Sequence, residues 1–261
     1  MKAVLEVIDI SKDFGGLRAL NELSLTVNSG EIVALIGPNG AGKTTFFNCV
    51  TGIYTPTEGQ VYLHDTKGQK HLLNGKKPHS ITGLGMARTF QNIRLFNGMS
   101  VLENVMIGRH CRTRAGILGA VVRDRRTRQE EQECIDRSYA LLELVKLQDA
   151  WNETAHNLPY GAQRRLEIAR ALATEPRMLL LYEPAAGMNP QETNELKELV
   201  FSIRDDQRLS ILLIEHDMGM VMSLSDRIYV MEYGSCIATG SPAEIRANPR
   251  VINAYLGEID A

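Results

Sequence analysis

No apolar run in the 261-residue chain approaches the ~20 residues needed to span a bilayer, which excludes a protein built on membrane-spanning helices. Charge of one sign is also missing. Lys and Arg total 29 against 31 Asp and Glu, a net of −2, so nothing in the balance favours a polyanion and no nucleic-acid partner is expected. The four cysteines (Cys49, Cys111, Cys134 and Cys236) are scattered without metal-ligand spacing and read as reduced thiols of a cytosolic protein. The opening MKAVLEVIDISKDF alternates like a strand and lacks the apolar core of a signal peptide. Internal repeats and low-complexity linkers are absent too. Residues 1–261 therefore read as a single α/β domain, long enough for a substantial core.

What is present is concentrated first in Gly37 to Thr45, GPNGAGKTT. The run fits G-x-x-x-x-G-K-[ST], follows the apolar strand candidate Ile32–Ile36, and precedes a helix-like stretch from Thr44 to Val50. Gly37, Gly40 and Gly42 allow a backbone tight enough for N–H groups along Pro38, Asn39, Ala41 and Thr45 to surround phosphate oxygens. The helix beginning at Lys43 adds its positive end, Lys43 would reach the β- and γ-phosphates, and the Thr44 hydroxyl would take a position on Mg²⁺. The chain is expected to bind a nucleoside triphosphate.

Around this loop, Val4–Ile10 and Leu23–Val27 alternate as antiparallel strands, and Gln60–His64 reads as another strand. Residues 65–78 are polar and Gly/Lys-rich, a loop or hairpin excursion. Helical periodicity runs from Val101 to Leu147. Met178–Leu181 and Leu209–Ile214 read as strands buried on both faces, each behind a helical segment (Arg164–Thr174 and Gln191–Arg204). That alternation predicts a parallel sheet with right-handed crossovers.

Other segments fall in the order expected of ATP-binding-cassette (ABC) ATPases, which the chain resembles over essentially its whole length. Leu158-Pro159-Tyr160-Gly161-Ala162-Gln163, ahead of Ala169-Arg170-Ala171-Leu172, resembles the family's signature segment. There a helix N-terminus contacts ATP held by a partner subunit, which assigns Tyr160, Gly161, Ala162 and Gln163 to nucleotide contact. The segment departs from the common LSGGQ at Pro159, Tyr160 and Ala162; read without the family it is an ordinary helix start. Gln91 resembles the Q-loop glutamine that senses Mg²⁺ and the γ-phosphate, and His216, just past a buried strand, resembles the switch histidine. Phe14 resembles the aromatic that stacks on adenine, and Asn189 falls in the D-loop. Glu183 matches the carboxylate that polarises the attacking water as general base. The resemblance implies a P-loop NTPase of the ABC type: a RecA-like core, an N-terminal antiparallel β subdomain, and a helical subdomain inserted at residues 92–157.

One position breaks the family pattern. Met178–Pro184 resembles the Walker B strand, but Tyr182 stands where the family has the Asp that helps hold Mg²⁺. A neutral phenol carries no charge to the metal, and its bulk should crowd the strand end. Slow turnover, or a cassette that binds without hydrolysing, is the expectation.

Finer detail resembles the ATPase subunits of branched-chain amino-acid importers: Phe14-Gly15-Gly16, Asn48–Gly52, Arg88–Gln91, Glu183–Gly187, Glu215–Met218 and the C-terminal run Asn248–Glu258. Cassettes for urea or other amides, and for lipopolysaccharide export, share several of these features. The resemblance implies ATP and Mg²⁺ as cofactors, a second cassette (identical or a paralogue) completing an ATP-sandwich dimer, and membrane permease subunits contacted near 92–96. It also implies an extracytoplasmic substrate-binding protein and a peripheral location on the cytoplasmic face of the inner membrane. An alternative, an ABC-type ATPase acting on DNA or the ribosome, usually carries two cassettes or a long coiled coil, and neither is here. The cluster Arg109, Arg112, Arg114, Arg123, Arg125, Arg126 and Arg128, bracketing an apolar piece at 117–122, reads as a solvated helix face or a contact for anionic headgroups.

Overall fold

Alternation after Lys2 dictates a half-buried strand, and the computed structural model, which describes residues 2–112 and 125–256, begins with two. Strands β1 (Ala3–Phe14) and β2 (Leu17–Asn28) pair antiparallel. The chain then enters β3 (Ile32–Ile36) and α1 (Lys43–Val50), and returns through β4 (Glu58–His64) and β5 (Lys70–Leu72). The excursion expected at 65–78 is the β4–β5 hairpin, with Tyr62 opposite Leu72. After α2 (Pro78–Gly83) and β6 (Met86–Arg88) come α3 (Val101–Arg109), α4 (Arg125–Leu144) and α5 (Tyr160–Leu172). The remaining elements are β7 (Met178–Tyr182), α6 (Pro190–Gln207), β8 (Ser210–Ile214), α7 (Met218–Leu224), β9 (Arg227–Glu232), β10 (Ser235–Gly240), α8 (Pro242–Arg246) and α9 (Pro249–Leu256).

The strands form two sheets, one antiparallel in the order β2-β1-β4-β5, the other in the order β10-β9-β3-β8-β7-β6. From β9 to β6 the second sheet is parallel, with only β10 reversed. Each residue of β3, β7 and β8 is buried, as continuous apolar runs covered on both faces require. Alternate residues serve the two faces. Val33, Leu35, Leu180 and Leu212 pack with Phe46 and Phe47 of α1 and with Leu5 and Leu63 of the antiparallel sheet. Ala34, Leu179, Leu181 and Leu213 pack under Leu166 of α5, Val200 of α6 and Val221 of α7.

The parallel strands and helices expected at 164–214 are present, but α5 starts at Tyr160, four residues earlier than its periodicity suggested. Pro159 occupies the N-cap, and the resembled signature residues become the first turn. Within the helical pattern expected from Val101 to Leu147, α3 passes at Arg109 into a 3-10 turn over His110–Arg112, α4 covers Arg125–Leu144, and residues 113–124 lie outside the described ones. Strands β6, β9 and β10 had no counterpart in the sequence reading. Capping boxes at Ser100/Glu103, Asn189/Glu192 and Ser241/Glu244 start α3, α6 and α8.

Among the basic cluster, Arg109 donates to Glu175 and Arg112 to the Thr174 carbonyl, so both are turned onto the protein. Arg128 is exposed, while Arg114, Arg123, the 117–122 piece and the side chains of Arg125 and Arg126 lie outside the described residues, as do Gly257 and Glu258. No helix among the described residues is long and apolar enough to cross a membrane. The thiol of buried Cys49 is pushed up to about 11 by burial, which leaves it inert.

Truncating the fully buried Leu180 should test the sheet's role. Leu180→Ala is expected to cost about 2–5 kcal/mol, read as a lower urea midpoint with unchanged slope.

Candidate functional site

Strand β3 stops at Ile36, and the chain turns at once through Gly37, Gly40 and Gly42 into α1. At Gly42 only glycine fits: φ is +100°, and a Cβ would lie 2.6 Å from the Ala19 carbonyl oxygen. No side chain caps α1, whose leading N–H groups lack intrahelical partners by geometry and stand at a cavity of ≈ 610 Å³. Lys43 is almost buried, and its Nζ donates to the carbonyls of Gly37 (2.5 Å) and Pro38 (2.8 Å). Thus a cation is stored against its own loop.

Sheet register decides what faces this loop. Leu35 pairs with Ile214, Ile214 with Tyr182, and Leu180 with Arg88, so β3, β8, β7 and β6 release their next residues along one edge. The cavity there is lined by Asn39 to Thr45, Phe14, Gln91, Tyr182, Glu183 and His216. Gly37 and Pro38, the first two residues beyond β3, are not in that lining and instead accept from Lys43.

Glu183 takes a left-handed backbone (φ 43°), and its N–H donates to the Ile214 carbonyl at 2.7 Å. Its carboxylate accepts from Gln91 Nε2 (3.1 Å) and from His216 Nε2 (2.8 Å). Three residues far apart in sequence therefore form one clamp. Thr44 Oγ1 is hydrogen-bonded to the Tyr182 hydroxyl. The Tyr182 ring meets Phe47 edge to face, centroids 5.0 Å apart, which takes up the crowding expected at the strand end. Burial pushes the phenol above its ordinary value, opposed by the Thr44 bond, so it is neutral at pH 7.

The resembled signature residues do not join this cavity. Tyr160 is half exposed on the first turn of α5, and Gln163 Nε2 donates to the Leu158 carbonyl. Gly161 is packed so closely on α6 that a Cβ would lie 2.5 Å from Glu192 Oε1. Ala162 is buried, and the Tyr160 ring approaches Gly187 before Asn189.

Two important residues escaped the sequence reading. Glu215 is buried and accepts from the N–H groups of Ala185 (2.7 Å), His216 (2.9 Å) and Asp217 (3.4 Å). It ties the loop after β7 to the loop after β8. Arg164 is completely buried and donates to the carbonyls of Phe90 (2.6 Å) and Gln91 (2.9 Å) and to Glu167 (2.9 Å). It fastens α5 to the segment carrying Gln91. The available signal was an arginine four residues before Ile168, on the apolar face of the helix. Glu167 is pushed up by burial and pulled back by Arg164.

Arg164→Met would strand the Glu167 carboxylate without its partner. A loss of about 3–5 kcal/mol in unfolding free energy is expected, with much of it recovered in the Arg164→Met/Glu167→Met double variant.

Comparison with known proteins agrees with this geometry. The sequence pattern of the family described as ABC transporter matches residues 20–186. That described as branched-chain amino acid ATP-binding cassette transporter matches residues 235–261. The high-affinity branched-chain amino acid transport ATP-binding protein LivG of Salmonella typhimurium is 48% identical over 255 residues, 98% of each chain. BraF of Pseudomonas aeruginosa, with the same description, is 45% identical over 98% of this chain and 99% of its own. Among solved structures, the ADP conformation of an ABC-transporter cassette superposes with TM-score 0.83 at 31% identity, covering 98% of this chain and 100% of that one. A nucleotide-free cassette gives TM-score 0.82 at 31% identity over 97% and 98%. With its phosphate loop, its Glu183 clamp and its near-complete overlap with these proteins, the chain belongs to the ABC transporter family as an ATP-binding cassette.

Proposed function

We propose that this cassette is the ATP-hydrolysing subunit of an importer for branched-chain amino acids. The observation carrying the ATPase part is a single cavity uniting the phosphate loop with the clamped Glu183. Support for the substrate class comes from the descriptions of LivG and BraF and from the match at 235–261.

In this reading Phe14 stacks on the base while the loop N–H groups and Lys43 take the phosphates, Lys43 exchanging two carbonyls for phosphate oxygens. Glu183 accepts the proton of the attacking water, and Gln91 and His216 hold its carboxylate in position until the γ-phosphate draws His216 to itself.

Mg²⁺ fits here only as an ion carried in by the triphosphate. No group of three or more His, Cys, Asp and Glu among the described residues could hold a metal, and Thr44 and Gln91 offer neutral oxygens. Bound in that way it would neutralise charge developing on the β- and γ-phosphates.

Tyr160, Gly161, Ala162 and Gln163 lie outside the cavity of their own chain, which supports their acting on the nucleotide of a second cassette, identical or a paralogue. Residues 92–157, carrying α3 and α4, are the inserted helical part of this single domain in this reading, followed by α5, whose Arg164 holds the loop after β6. The permease is received in a groove of ≈ 620 Å³ lined by Arg88, Phe90, Arg94, Leu95, Phe96 and Arg170. The Phe90 ring lies between two guanidiniums, 4.4 Å from Arg88 and 4.7 Å from Arg94, while Phe96 is half exposed. In this reading the chain sits peripherally on the cytoplasmic face of the inner membrane, with a substrate-binding protein on the opposite side.

A second reading, a cassette that holds ATP but turns it over slowly, is favoured by Tyr182. Its neutral hydroxyl replaces a carboxylate and engages the Thr44 hydroxyl.

Tyr182→Asp is expected to raise steady-state Mg·ATP hydrolysis on the order of 100-fold, about 3 kcal/mol of barrier. Equal, substantial rates in the two proteins would refute the slowing. Phe96→Ala should weaken co-purification with the permease while leaving ATP affinity unchanged; undiminished co-purification would move the contact elsewhere.

A further inference from the structure

Strands β9 and β10 are joined by the shortest of hairpin turns. Glu232 pairs with Ser235, leaving Tyr233 and Gly234 alone between them. Both have positive φ, 45° and 79°, as a type I′ turn demands. Asn, Asp and Gly satisfy that demand, whereas a bulky aromatic in the first position is an outlier. The ring is not retained for packing: Tyr233 is 87% exposed, more than any other large hydrophobic residue described.

The backbone beneath this ring is fixed on two sides. The Gly234 N–H donates to the Ala41 carbonyl of the phosphate loop at 3.0 Å, and its own carbonyl accepts from the Asn21 N–H of β2 at 2.9 Å. A Cβ at Gly234 would lie 2.8 Å from the Ala19 carbonyl oxygen, so the two turn residues cannot exchange places. Tyr233 is thereby held at the rim of the nucleotide cavity, which it shares with Phe14 and Leu17. Phe14 is itself braced by a T-shaped contact with Tyr54, with centroids 5.2 Å apart.

We infer that Tyr233 is a second aromatic wall of the nucleotide site, contacting the base alongside Phe14 and acting on base retention, not on the phosphates. The inference rests on the reading of this cavity as the nucleotide site. An aromatic face carries no hydrogen-bond code, so Tyr233 favours any purine nucleotide over a bare polyphosphate and does not separate adenine from guanine.

Equilibrium titrations of the full chain with ATP, GTP and inorganic tripolyphosphate test this, using Tyr233→Asn and Tyr233→Phe. Asn is the residue the turn prefers, so the first variant keeps the hairpin and should unfold at no lower temperature than the parent. Tyr233→Asn is expected to weaken ATP and GTP by roughly 10-fold each and to leave tripolyphosphate unchanged, while Tyr233→Phe retains parental affinities. ATP affinity equal to the parent's in Tyr233→Asn would overturn the role. An equal loss for ATP and tripolyphosphate would overturn it differently, by showing that the turn acts through Ala41 on the phosphate loop. Failure of the parent to bind ATP at all would remove the nucleotide reading of the cavity and this inference with it.

Discussion

The arrangement depends on one constraint, the parallel register of five strands whose middle three are buried on both faces. Because β9, β3, β8, β7 and β6 run the same way and hold fixed partners, their carboxyl ends form a single edge. Gly37, Glu183, Glu215 and Thr89 are each the first residue beyond a strand at that edge. A one-residue slip would turn every inward side chain to the opposite face. The apolar core therefore sets the geometry of the cavity as well as stability.

Polar groups taken into that core act as fasteners between loops that would otherwise move independently. Glu215 spends its carboxylate on three backbone N–H groups from two loops, and Thr89 accepts from the N–H of Tyr182. Such groups are costly to bury alone and become stabilising only when their hydrogen bonds are made together. The clamp on Glu183 has a different character. Gln91 and His216 reach it from segments that end at the cavity, so these contacts can be exchanged without disturbing the fasteners behind them. Rigid support and exchangeable contact are thus separated by one residue along the chain, at Glu215 and His216.

Legibility in the sequence follows the range of the interactions. The phosphate loop was readable because its requirements are local: glycines, a lysine and the helix that follows, nine contiguous residues. β7 and β8 were readable because burial on both faces leaves an unbroken apolar run. β6 was not, since three residues cannot display a period, and β9–β10 were hidden by a turn whose Tyr-Gly departs from the usual Asn-Gly. Glu183, His216 and Gln91 could be named through a family resemblance, but their convergence on one carboxylate is set by strand order. Arg164 and Glu215 were missed because a charged residue in a helix or after a strand is ordinarily exposed.

Arg164 reaches Phe90 and Gln91 through their carbonyl oxygens, not their side chains. Every residue type presents that same acceptor, so the coupling between α5 and the loop is indifferent to the identities of the side chains that follow. Residues 92–96 can consequently change side chains while the linkage of α5 to the cavity edge stays intact. A joint written in backbone leaves the surface beyond it free to evolve: side chains there can be exchanged without loosening what lies beneath them.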